Sequence, residues 1–142
     1  MTVLFDDHLL RDWMVGPDAA LSDMVGDRSV VTTNLWYARL CKSAARATAG
    51  ALLRDLPEPE RRAVTAALIA LPETITIVPM RQLAYRMGQL IAQERGLSTL
   101  GAEAVAAASD LDAEILVSSR DDGPGVRNCC GRLGITYRTV TR

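Results

Sequence analysis

Short apolar runs alternate with helical segments along the whole of this chain, and that alternation restricts the folds open to it. Strands are read at residues 2–5, 29–32, 74–78, 114–118 and 135–140, each too short for a helix and several rich in β-branched residues. Between them lie amphipathic stretches at 8–15, 19–25, 35 to about 54, 60–70, 81–95, 100–111 and 126–133. Their apolar stripes keep helical spacing: Trp36, Leu40, Ala44, Ala47 and Ala51 in one, Val64, Ala67, Leu68 and Leu71 in the next. Leu83, Met87, Leu90 and Ile91 form a third. Gly16-Pro17, Gly26, Pro72, Gly96 and Gly134 supply the stops, while Thr33 or Asn34 and Ser98 or Thr99 supply N-caps. Strand and helix in strict turn predict an α/β fold, with a mostly parallel five-stranded sheet covered by helices on both faces. No repeat or linker divides the 142 residues, so one domain over 1–142 is expected.

Charge excludes some functions. The formal net charge is −1, which argues against a bulk polycation made for nucleic acid. Lys42 is the only lysine, so the other basic residues are arginines, the better phosphate binders through their planar fork. From Arg120 onward Arg120, Arg127, Arg132, Arg138 and Arg142 outnumber two acids, which suits a phosphate backbone or, equally, a solvated surface. Cys41, Cys129 and Cys130 have no metal-like spacing, and His8 is the only histidine, so structural zinc is not expected. The neighbouring pair Cys129-Cys130 suits core packing in a reducing compartment. No leader pattern and no membrane-spanning run is read, and the expected setting is the cytoplasm.

The acids carry the functional signal. Asp6-Asp7 follows the first strand, and Asp121-Asp122 follows the fourth. In a parallel sheet both pairs leave at strand carboxyl ends, where open α/β sheets place their ligands. Carboxylates gathered there suit a hard cation such as Mg²⁺ or Mn²⁺. Each acid also has a plainer reading. Asp6-Asp7 can cap the first helix, Asp121-Asp122-Gly123-Pro124-Gly125 is a good turn sequence, and Glu103 can be a solvated residue at a helix edge.

The run Val3-Leu4-Phe5-Asp6-Asp7-His8-Leu9-Leu10 resembles the first strand and first acid of the PIN domain family, metal-dependent nucleases that include ribonuclease toxins. Residues 97–108 resemble that family's Ala-rich helix, residues 113–121 its fourth strand and terminal acid, and Leu133-Gly134-Ile135-Thr136-Tyr137 its closing strand. The resemblance implies a three-layer α/β/α domain with sheet order 3-2-1-4-5, which would make strands one and four neighbours. It implies a Mg- or Mn-dependent ribonuclease with Asp6 and Asp121 as catalytic residues. Asp6, Glu103, Asp121 and Asp122 would be metal ligands, and Asn34, Arg39 and Arg120 substrate contacts. RNA, an antitoxin-like protein and a second copy of the chain would be its partners. Two departures stand out: residues 33–39 hold no acid where the family has one, a gap placed at Tyr37, and Gly101 stands where it has an Asp. The reduced acid set leaves two expectations: a weak ribonuclease, or an inactive PIN-like module that binds RNA or a protein. A response-regulator receiver domain is rejected, because the third strand ends Ile77-Val78-Pro79-Met80, without an acid.

Overall fold

The computed structural model describes residues 1–46 and 50–142. Five parallel strands, β1 (Thr2–Phe5), β2 (Ser29–Thr32), β3 (Ile75–Ile77), β4 (Glu114–Ser118) and β5 (Tyr137–Val140), form one sheet in the order β3-β2-β1-β4-β5. Helices α1 (Asp7–Val15), α2 (Ala19–Val25), α3 (Asn34–Ala45), α4 (Glu58–Ile69), α5 (Met80–Gln93), α6 (Thr99–Leu111) and α7 (Pro124–Leu133) connect them. The expected three-layer α/β/α architecture and strand order are both present.

Alternate strand residues feed opposite layers. Val3, Phe5, Val30, Leu116 and Val140 pack with Leu9, Leu21 and Val25 beneath α1 and α2. Leu4, Val31, Ile115 and Val117 face the other way, against Leu83, Met87 and Leu90 of α5 and the alanines of α6. Burial on both faces is why the strands read as unbroken apolar runs. Cys129 and Cys130 pack in the second of these clusters, as the core reading expects. A third cluster, with Leu10, Leu40, Val64, Leu68 and Ile75, joins α1, α3 and α4.

Several boundaries differ from expectation. Instead of running to about residue 54, α3 ends at Ala45. Gly50 then packs so close to Ser43 that a β-carbon there would sit 2.3 Å from Ser43 Oγ, and its N–H reaches Ser43 O at 3.0 Å. This fold-back drops Leu52 and Leu53 into the third cluster, and burying them outweighs helix continuation. Of the stripe expected on a longer helix, Ala47 lies outside the described residues. At α4 the helix begins at Glu58, two residues early, because Pro57 and Pro59 fall where the first turn needs no N–H donor. α7 begins at Pro124 for the same reason. Ile91 is 42 % exposed rather than inward, since α6 covers only the Leu83–Met87–Leu90 stripe of α5.

Candidate metal centre

The centre lies where α3 meets the carboxyl ends of β1 and β4, two interior strands of the sheet. Phe5 pairs with Leu116 and with Thr32, so the chain leaves all three strands on the same side. Asp6 stands in extended backbone at the end of β1 and caps α1, its Oδ1 accepting the N–H of Leu9 at 2.9 Å. Its Oδ2 accepts the N–H of Ser118 at 2.8 Å. One carboxylate therefore both starts α1 and ties the ends of two strands together, so the cap reading holds. Asp6 is fully buried, and that burial pushes its pKa up to about 7 despite the two hydrogen bonds, with Asp7 and Asp121 adding to the rise.

Asp7 opens α1 and is also fully buried, yet neither of its oxygens accepts a hydrogen bond. Arg39 Nε lies 3.0 Å from its Oδ2, an ionic contact out of line for hydrogen bonding. Burial raises the Asp7 pKa to about 6, with Arg39 pulling it down and Asp121 pushing it up. Asp121 sits on a short 3₁₀ turn (Ser119–Asp121) and accepts Arg39 Nη1 at 3.2 Å. Arg39 thus spans two acids. One oxygen from each of Asp6, Asp7 and Asp121 lies within 4.8 Å of the others. That spread suits a single cation with oxygen ligands at about 2.0–2.6 Å. The donor set fits Mg²⁺ or Mn²⁺: all three are hard oxygens, and neither buried oxygen of Asp7 has a well-aligned hydrogen-bond donor.

The other residues named from the sequence lie elsewhere. Glu103 is fully buried on α6, but it faces the start of α3: Oε1 accepts Leu35 N–H at 2.8 Å, and Oε2 accepts Asn34 N–H at 3.2 Å and Asn34 Nδ2 at 3.0 Å. It is a helix cap supplied from another helix, outside the group of three. Asn34 Nδ2 also donates to Val78 O at 2.7 Å, so its amide holds the ends of β3 and α3 together. Asp122 turns to α7 and β5, where it accepts the Tyr137 hydroxyl at 2.8 Å and pairs with Arg127. Arg120 lies 3.5 Å from Asp55 and donates to Arg142 O. Of the three expected substrate contacts, only Arg39 touches the acidic group.

The two departures from the family pattern have structural counterparts. The residue of α3 that faces the acids is Arg39, not Tyr37, whose hydroxyl donates to Leu68 O on α4. At Gly101 a β-carbon would come within 2.8 Å of Val126 Cγ2 and 3.0 Å of Leu97 Cδ1, so a side chain here would have to push those two side-chain ends aside. Asp7, the third member of the group, is the candidate ligand that sequence reasoning left out of the metal set. Its signal was present as the second half of the acidic pair, two residues beyond the end of β1.

No family model and no curated protein matches this chain by sequence. A solved structure of FitAB bound to an IR36 DNA fragment matches in shape, with a TM-score of 0.58 over 98 % of this chain and 94 % of that one. The fold is PIN-like. Identity over the match is 10 %, so the likeness is one of backbone path. On this PIN-like scaffold Asp121 and Arg39 line a cleft of about 270 Å³ walled by Trp36, Leu100, Val117, Val126 and Tyr137. On the far side of Arg39 lies a cleft of about 180 Å³, edged by Lys42, Ser43, Arg46 and Leu52. The C-terminal arginines contribute little to either: Arg120, Arg127, Arg132, Arg138 and Arg142 are each paired with a carboxylate. Among the described residues no helix is long and apolar enough to cross a membrane.

Proposed function

We propose that this PIN-like domain binds one Mg²⁺ or Mn²⁺ ion through Asp6, Asp7 and Asp121 and uses it to cleave RNA weakly. The observation that supports this reading is the approach of three carboxylates from two strand ends to within 4.8 Å. A bound divalent ion supplies charge for the phosphodiester and hydroxide at neutral pH. The chain supplies the rest. Both oxygens of Asp6 are oriented by backbone N–H groups, so this ligand is fixed before anything binds. Asp121 is one-third exposed, 33 % by side chain, and stands at the open side, where substrate would enter. Arg39 and Lys42 on α3, with Arg46 just past its end, line one cleft and would hold the phosphate backbone. A cytoplasmic setting, an antitoxin-like protein partner and a homodimer accord with this reading.

The second reading is an inactive PIN-like module that binds RNA or a protein, and Arg39 favours it. Its guanidinium already compensates Asp7 and Asp121, so the fold does not depend on a metal for charge balance there. Calorimetric titration with Mn²⁺, paired with degradation of a mixed RNA pool, tests the two. Binding and cleavage that both vanish in Asp6→Ala and Asp121→Ala support the nuclease. Binding without cleavage under any metal supports the module, and absence of binding removes the metal centre.

A further inference from the structure

We propose that Arg39 is a gate within the acidic centre: it holds Asp7 and Asp121 until a phosphodiester draws its guanidinium away, so divalent cation and phosphodiester bind cooperatively. This deepens the metal-centre reading above and rests on it.

The three acids are held in different ways. Asp6 is fixed by two backbone donors and has no ionic contact with Arg39. Asp7 and Asp121 have Arg39 instead, at 3.0 and 3.2 Å. Arg39 faces Oδ2 of both Asp7 and Asp121, so a cation held by all three acids would sit beside its guanidinium. Two positive groups crowded against the same pair of carboxylates repel each other strongly in so buried a place. Metal entry therefore requires Arg39 to move or to weaken its hold. Asp7 is the telling partner. It is fully buried and accepts no hydrogen bond, so its charge is met by an ionic contact with imperfect alignment, which a better-placed cation can replace.

Arg39 has somewhere to go. Its side chain is 42 % exposed, and among the described residues its polar contacts are these two carboxylates alone. It forms part of the wall of the cleft beside Trp36 and Asp121, and also of the cleft with Lys42, Ser43 and Arg46. Lys42 follows Arg39 by three residues on α3 and so shares its face, and Arg46, just past the end of α3, lines the same cleft. Among the described residues no carboxylate pairs with Lys42 or Arg46, whereas the C-terminal arginines are all paired. A phosphate in that cleft would offer Arg39 an anion of matching geometry, since the guanidinium fork suits phosphate as well as carboxylate. Asp7 and Asp121 would then be free for the cation. Coupling of this kind is reciprocal: whatever factor the phosphodiester adds to metal affinity, the metal adds to phosphodiester affinity.

The test measures Mn²⁺ affinity of the full chain by electron paramagnetic resonance, with and without a non-cleavable 2′-O-methyl RNA oligomer. Arg39→Gln is expected to bind Mn²⁺ at least tenfold more tightly than wild type when RNA is absent. The oligomer is expected to tighten Mn²⁺ binding at least tenfold in wild type and less than twofold in Arg39→Gln. Arg39→Lys, which keeps the charge without the fork, should fall between and carries the comparison if the glutamine variant does not fold. Equal Mn²⁺ affinity in wild type and the Arg39 variants, lost in Asp7→Asn, would overturn the gate and leave the metal centre standing. An oligomer that leaves wild-type Mn²⁺ affinity unchanged would do the same. Absence of saturable Mn²⁺ binding in every variant would overturn the metal reading itself.

Discussion

Glu103 on α6 accepts the backbone N–H of Leu35 at 2.8 Å, so a buried carboxylate from one helix caps the N-terminus of another. The contact meets donors that the first turn of α3 leaves free, and it places negative charge at the positive end of the helix. Because α3 carries Arg39, this cap also sets where the guanidinium projects from.

Loss of the cap should be costly. Glu103→Ala is expected to destabilise the chain by about 3 kcal/mol, since it opens a cavity and strands buried N–H groups. Glu103→Gln keeps one acceptor oxygen and should cost roughly half as much. Urea unfolding gives both values. Mn²⁺ affinity should change little in Glu103→Gln, whereas a direct ligand at this position would lose most of it.

Asp6 and Asp7 link stability to pH in an unusual direction. Burial lifts their pKa values to about 7 and about 6 in the folded chain, while unfolded carboxylates release protons near pH 4. Between about pH 4 and 7 the folded chain therefore holds protons that the unfolded chain has lost, and stability falls as pH rises. His8 opposes this with one proton: its pKa is lowered, chiefly by burial, so its contribution rises with pH up to the unfolded value near 6.5. Asp18 and Glu114, both lowered in the folded chain, act at more acid pH. Melting followed without metal should give a lower Tm at pH 8 than at pH 5. Added Mn²⁺ should raise Tm at pH 8 and do little at pH 5. A Tm that climbs steadily with pH would contradict the assignment.

Restoring the missing acid should not restore a fuller site. Gly101→Asp would force Val126 and Leu97 aside, and overpacking of this kind costs about 1–3 kcal/mol. Mn²⁺ affinity is expected to stay at the wild-type level. Pairing the change with Val126→Ala should recover part of the lost stability, as a double-mutant comparison by thermal melting would show.

The arginines and Lys42 should separate by function. Arg127→Ala and Arg138→Ala remove exposed ion pairs worth less than about 1 kcal/mol and should leave RNA affinity nearly unchanged. Lys42→Ala and Arg46→Ala should each lower the salt slope of RNA binding by roughly 1, because each removes one phosphate contact. Filter binding across a salt series distinguishes the two groups.

Much of the fold was legible because its signals are local. β1, β2, β4 and α2 fall where the run lengths and the Gly and Pro stops put them, and Cys129 and Cys130 pack as small apolar groups. The end of α3 was not legible. Its stripe continues in sequence past Ala45, and only the return of Gly50 onto Ser43 shows why the helix stops. At the site, the strand-end acids could be read, since parallel strands bring their ends together. What each acid faces could not. Glu103 is a lone charge in an apolar helix, which says that it needs a partner, while the identity of the partner depends on how α6 packs against α3. Asp7 and Asp122 look alike as second members of acidic pairs. One turns into the centre, and the other meets Tyr137.

Asp6 reaches Ser118, 112 residues further along the chain, to complete its hydrogen bonds. A ribosome must therefore make nearly the whole domain before this centre can exist. Until β4 emerges, β1 has only β2 beside it, and Asp6 lacks the Ser118 donor. A contact this distant in sequence also slows folding, since the loop must close before the pairing rewards it. If the chain cleaves RNA, a nascent or truncated copy is harmless to the message it is made from, and activity arrives only with the finished sheet.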